Sequence, residues 1–236
     1  PRASRVGDEP GAIRAGEAFQ RAYPRDALTP EVTFLMGKAY ERAEKWREAD
    51  QLYARYARNA PNPNRRIEAW VRLALVRRDD PAGRTRALDQ AIKLHKSYQQ
   101  KLDDDGRYFS AQARYLSGTR WLEEFEAVTI EGDVRQLQQR LRKKSQLLKK
   151  AADEFLAASK MGVAEWTTAS LYQIGHTYES FAKALLEAAP PPELSESDAE
   201  AYRQSIDEFV IPIEERSIEA YESGWLKAVE LGIFNE

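Results

Sequence analysis

Few side chains in this 236-residue chain could carry catalysis: it has two histidines, His95 and His176, no cysteine, and many carboxylates with no distinguishing spacing. The lack of cysteine removes thiolate nucleophiles, zinc-thiolate sites and disulfides, and it fits cytosol and periplasm alike. Neither histidine has a sequence neighbour that resembles a metal site or a nucleophile–base pair. His95 falls on a helical segment where it packs or faces solvent, and His176 follows Gly175, with Tyr172 and Glu179 one turn away. The run Asp103, Asp104, Asp105, Gly106 suggests a calcium loop, in which acidic ligands alternate before a glycine. Lys101 stands where the first ligand belongs, however, and Gln112 where the bidentate glutamate belongs. The run therefore reads as a helix stop with solvated carboxylates. No phosphate-binding loop, nucleophile elbow or paired-carboxylate motif stands out, so no catalytic residue, metal or cofactor is expected.

The other charged groups point to surfaces rather than reactions. Arg135, Arg142, Lys143, Lys149 and Lys150 fall mostly at seven-residue spacing and form a basic stripe that could dock an acidic partner or a polyanion, or simply be a solvated face with local ion pairs. A net charge of −2 and a pI near 6.0 argue against a nucleic-acid surface, which needs a clear positive excess on one face. No apolar run reaches the length of a membrane span and no signal-peptide pattern opens the chain. Starting at Pro1, the sequence reads as a fragment or mature segment, so the missing signal says little about where the parent protein resides.

Helices must position all of these residues. With 42% hydrophobic and 31% charged residues, 12 glycines, and long runs of Ala, Leu, Glu, Lys, Arg and Gln, the chain favours an all-α fold. Residues 29–61 show how the helices pair: Met36, Gly37, Tyr40, Ala49, Tyr53 and Pro61 alternate small with large. The small residue lets a second helix approach, the aromatics fill the gap, and proline follows the hairpin. Ala15, Phe19 and Ala22 recur as Ala49, Tyr53 and Tyr56, each 34 residues on. Ala87, Ala91 and Leu94 continue the pattern, preceded by Trp70, Leu73 and Ala74. This set resembles the tetratricopeptide repeat, whose period is about 34 residues. Ala151/Phe155/Ala158 and Ser217/Tyr221/Gly224 follow at longer steps, so the last two hairpins must be stretched.

The resemblance implies a right-handed solenoid of antiparallel helix hairpins, read as one body or two loosely joined halves: a half repeat at 1–25, repeats at 26–63 and 64–105, a long hairpin at 106–162, and a long hairpin with a proline-rich loop at 163–236. Turn signals sit at 59–64, 79–83, 103–106, 131–133 and 189–193. Asp133 is placed to cap a helix of about 40 Å running to about Lys160, with Val134, Leu137, Leu141, Leu148 and Phe155 on one stripe. Pro212 should end or kink its helix, leaving a final helix from about Ile213 toward Leu231.

Tyr172-x2-Gly175-x2-Tyr178-Glu-x-Phe-Ala-Lys, the proline loop, and Pro212-x-Glu-Glu-x3-Glu-Ala-Tyr221-Glu, together with the RYFSAQARYLSGTRWLEEFEAV and KKAADEFLAASKMGVAEW stretches, are similar to large tetratricopeptide proteins of the myxobacterial adventurous gliding motility machinery, over roughly residues 107–236. That resemblance implies a periplasmic scaffold in a multiprotein envelope complex and carries over no catalytic residues. Ser217 departs from the alanine usual at its position, which implies slightly weaker packing.

Tetratricopeptide arrays bind peptide segments on a concave side lined by the first helix of each hairpin. The glycine registers place Phe34, Lys38, Glu41 and Arg42 there in the first full repeat, and Tyr172, His176, Glu179 and Ser180 in the last. Each could instead be an ordinary exposed side chain, or an inter-repeat contact for Phe34 and Tyr172. Three function classes follow. The first is a non-catalytic scaffold binding other proteins in this groove. The second is a homo-oligomeric assembly or spacer element using the long helices. The third is a cell-wall glycan-binding module, for which exposure of Trp121, Trp166 or Trp225 would speak.

Overall fold

The computed structural model describes residues 7–233, and among these the regular structure is helical, with no strand. The helices are α1 (Glu9–Ala22), α2 (Thr29–Arg42), α3 (Trp46–Asn59), α4 (Pro63–Val76), α5 (Pro81–Tyr98), α6 (Asp104–Glu126), α7 (Val134–Ser159), α8 (Ala164–Leu186) and α9 (Glu196–Glu230), with a 3-10 turn at Gln99–Lys101. Short polar residues start many of them. The Asp8, Asp80, Asp133 and Ser195 side chains accept backbone N–H groups of their first turns, and Asp133 with Gln136 completes a capping box. Asp103 does the same for α6, accepting from the Gly106 N–H at 2.8 Å, so the acidic run expected to stop a helix begins one.

The chain divides into two compact units, residues 1–113 and 114–236, and the division falls within α6. In the first unit α1 packs on α2, α2 on α3, α3 on α4 and α4 on α5. Phe34, Tyr53, Ile67, Val71, Leu73 and Leu88 are fully buried there. In the second, α7 packs on α8 and α8 on α9, around Phe125, Leu137, Leu148, Phe155, Phe181 and Leu185. Val134, expected on the apolar stripe of α7, is instead exposed at its first turn.

Pro212 does not end its helix. α9 is continuous from Glu196 to Glu230. The proline lies on an exposed side, where water can take the carbonyl freed by its missing N–H, while Val210 and Ile213 hold the buried side.

One contact recurs in both units. A Cβ on Gly37 would come within 2.8 Å of the Tyr53 ring, one on Gly118 within 2.7 Å of Phe155, and one on Gly175 within 2.7 Å of Tyr221. Three residues before each glycine stands an aromatic that meets the same ring at nearly the same separation and tilt: Phe34–Tyr53 at 5.8 Å and 54°, Tyr115–Phe155 at 5.6 Å and 56°, Tyr172–Tyr221 at 5.6 Å and 50°. Four residues after the glycine, Glu41 accepts the Tyr53 hydroxyl and Glu179 the Tyr221 hydroxyl; Phe155 has no hydroxyl, and the residue at that place, Leu122, is apolar. Ser217 is buried and donates to the Gly175 carbonyl at 2.9 Å. The hydroxyl that the sequence marks as a packing weakness is thus satisfied across the closest approach of α8 and α9.

Candidate docking site

In the first unit the four expected groove residues are tied into the unit itself. Phe34 is 1% exposed and packs between Tyr53 and Tyr56, so it belongs to the core and offers a partner no surface. Lys38 lies 3.5 Å from Glu68, Glu41 receives Tyr53 and Arg72, and Arg42 makes a bidentate pair with Glu9 at 2.6 and 2.7 Å. Their centre is Glu68, whose side chain is only 2% exposed and which holds Arg65 at 2.7 Å and Arg72 at 2.8 Å. Burial pushes the Glu68 carboxyl up, and the hydrogen bonds and charges of Arg72, Arg65 and Lys38 more than offset this, leaving it below its ordinary value. Sequence reading selected Lys38 and missed Glu68. The signal was Arg65, Glu68 and Arg72 spaced along one face of α4.

The second unit presents its candidates openly. Tyr172 is 56% exposed and stacks on His176, with centroids 6.3 Å apart and planes 8° from parallel. The His176 ring lies 3.7 Å from Glu126 and 3.9 Å from Glu179, and Glu179 accepts the Tyr221 hydroxyl at 2.7 Å. Ser180 is half-buried beside them. Between α8 and α9 runs an open groove of about 700 Å³ with Ala182, Leu186 and Ile218 as apolar lining, Glu179, Glu187 and Glu214 as carboxylates, and one cation, Lys183, 3.9 Å from Glu187. It continues into an exposed row on α9 formed by Ile211, Ile218, Trp225 and Val229, with Trp225 at 66% exposure. Successive positions lie seven, seven and four residues apart, so they share one helix face. Ile218, Trp225 and Val229 all lie on the helix expected after Pro212, but spacing alone does not say which apolar side chains of that helix stay uncovered; Ile211 joins them because α9 runs unbroken through Pro212.

Burial first, and then the acidic partner, push three phenols above their ordinary value: Tyr53 beside Glu41, Tyr56 beside Glu31 and Tyr221 beside Glu179. A phenol raised on folding stabilises the fold fully below its unfolded pKa, about 10, and loses that contribution as pH climbs through the folded value. Absorbance titration should therefore find at least three of the 11 tyrosines neutral above pH 10 until the chain unfolds, with stability falling over that range. Ionisation of all of them together near pH 10 would contradict these environments.

The basic stripe lies on the outer side of α7. Arg135, Arg142, Lys143, Lys149 and Lys150 are exposed, and Lys150 covers the Trp121 ring at 4.2 Å, with Arg120 at 3.6 Å. Lys144, one heptad after Leu137, is buried instead. It donates to the Phe125 and Val128 carbonyls at 2.8 and 2.9 Å, satisfying the end of α6, and burial lowers its pKa. Trp166 packs on Tyr115 at 5.1 Å, which leaves Trp225 as the openly exposed member of the three tryptophans considered. Among the described residues no cluster of three His, Asp or Glu side chains is arranged to hold a metal, and no helix is long and apolar enough to cross a membrane. Compared with known proteins, the chain matches no family model and no curated protein.

Proposed function

We propose that the chain is a non-catalytic protein-interaction scaffold built on tetratricopeptide-like hairpins, with the α8–α9 surface as its docking face. The observation that carries this reading is the apolar row Ile211–Ile218–Trp225–Val229, continuous with the acidic-rimmed groove beside it. Exposed apolar rows of this kind mark surfaces for other macromolecules. The glycine–aromatic contact shared by three hairpins supports the repeat architecture. The resemblance of residues 107–236 to the gliding-motility scaffolds extends the reading to a periplasmic envelope complex. A glycan surface is less well supported, since Trp225 stands in a row of exposed apolar side chains that runs on through Ile218 to Ile211, more apolar area than a sugar-stacking ring needs.

The experiment is affinity capture from extract of the source cells, comparing the chain with its Tyr172→Ala/Trp225→Ser variant. Partners lost from the variant are the expected result. Partners retained equally, or none at all, would overturn the assignment of this face.

A further inference from the structure

Building on the scaffold reading, we propose that the α9 row docks an arginine-bearing amphipathic helix of a partner protein, seated on α8–α9 as α4 is seated on α2–α3. The recurring contact supplies the register: Gly175 and Tyr221 correspond to Gly37 and Tyr53, so Glu179 corresponds to Glu41, Glu222 to Ala54 and Trp225 to Ala57. In the first unit α4 packs on α3, where Ala54 and Ala57 are buried. It sends Arg66 to the Ala57 carbonyl at 3.1 Å, Arg72 to Glu41 at 3.0 Å and Arg77 to Asp50 at 2.5 Å. On α9 the corresponding Glu222 and Trp225 are exposed, and where Glu41 has a guanidinium, Glu179 has the half-exposed His176 ring at 3.9 Å.

Charge selects the occupant. Glu214, Glu215 and Glu222 flank the apolar row, whereas Arg216, on the Tyr178 side of α9 at 5.9 Å from that ring, and Lys227, paired with Glu230, lie more than about 100° round the helix from it, and the groove's Lys183 is 3.9 Å from Glu187. A helix with leucine-like side chains facing Ile218 and Trp225, and arginines along its edges, satisfies both features. From Ile211 to Val229 the row spans about 27 Å, so the partner needs about five turns. A second copy offering its basic α7 would meet the carboxylates but leave the row uncovered, because the large apolar side chains exposed on α7 are Val134 and Leu156, at its two ends.

The test is fluorescence polarisation with a dye-labelled synthetic amphipathic helix of about 20 leucine and arginine residues, a leucine–glutamate counterpart, and a scrambled leucine–arginine peptide. The expected result is saturable binding of the leucine–arginine helix alone. Binding should weaken at least about tenfold in the Ile218→Ser/Trp225→Ser variant and again in Glu214→Lys/Glu222→Lys, and the latter should now accept the leucine–glutamate helix. Circular dichroism confirms that each variant keeps its helices. Equal binding of both peptide charges, indifference to charge reversal, or self-association of the chain that the Ile218→Ser/Trp225→Ser variant abolishes would each overturn the proposal. Partners captured from extract through Trp225 but insensitive to Glu214→Lys/Glu222→Lys would sink this inference and leave the scaffold reading standing. Peptide binding as predicted, with no Trp225-dependent partner in extract, would do the reverse.

Discussion

Replacing Glu68 with leucine will destabilise the first unit by about 3 kcal/mol, because the carboxylate is the shared anion of three cations and its removal leaves their charge uncompensated. This is the low end of the range for breaking a buried pair. Arg65 and Lys38 are 35% and 29% exposed and can turn to water, and Arg72 keeps Glu41. Urea unfolding followed by the fluorescence of Trp46 and Trp70 will show a lower midpoint with an unchanged slope. The pH dependence adds a second check. The folded Glu68 pKa is lowered below its ordinary 4.5, so its contribution is present above that value and is lost as pH falls through the folded one. The gap between wild type and variant should therefore be full at neutral pH and close under acid. A gap that persists unchanged in acid would mean that the leucine costs packing rather than charge.

Phe155→Ala will cost about 4 kcal/mol in the second unit, since the ring is wholly buried and deleting it leaves a cavity beside Gly118 and Tyr115. Gly118→Ala alone will also destabilise, by about 1–3 kcal/mol, because its methyl would fall 2.7 Å from the ring. Combined, the two should cost less than their sum by at least about 1 kcal/mol, because the methyl then enters space the ring has vacated. Additive costs would show that the glycine is not held small by the aromatic, and with that the account of the recurring hairpin contact would fall.

How far the sequence could be read depended on whether a residue's role is local. Gly37 with Tyr53, Gly175 with Tyr221 and the Asp133 cap were legible, because spacing along one or two helices determines them. Phe34 and Tyr172 occupy the same register, yet one is buried and the other open. The difference comes from what packs over each hairpin, which spacing does not encode. Lys144 was hidden for a related reason, since a charged residue on a helix reads as surface until its partner from another element, here the end of α6, is in place; the Arg65 and Arg72 partners of Glu68 were visible one turn away on α4, but not that the carboxylate is buried. Pro212 hid only the continuity of the α9 row to Ile211, because the usual helix-breaking rule gives way where the proline faces solvent; that Ile218, Trp225 and Val229 stay uncovered depends on what packs over α9.

Amide hydrogen exchange, with and without a partner captured from source-cell extract, distinguishes the proposed docking of other proteins on α8–α9 from docking elsewhere on the chain. Slowed exchange concentrated in residues 211–229 of α9 and the facing turns of α8 is the expected result. Protection confined to α1–α5, or to the basic face of α7, would contradict it.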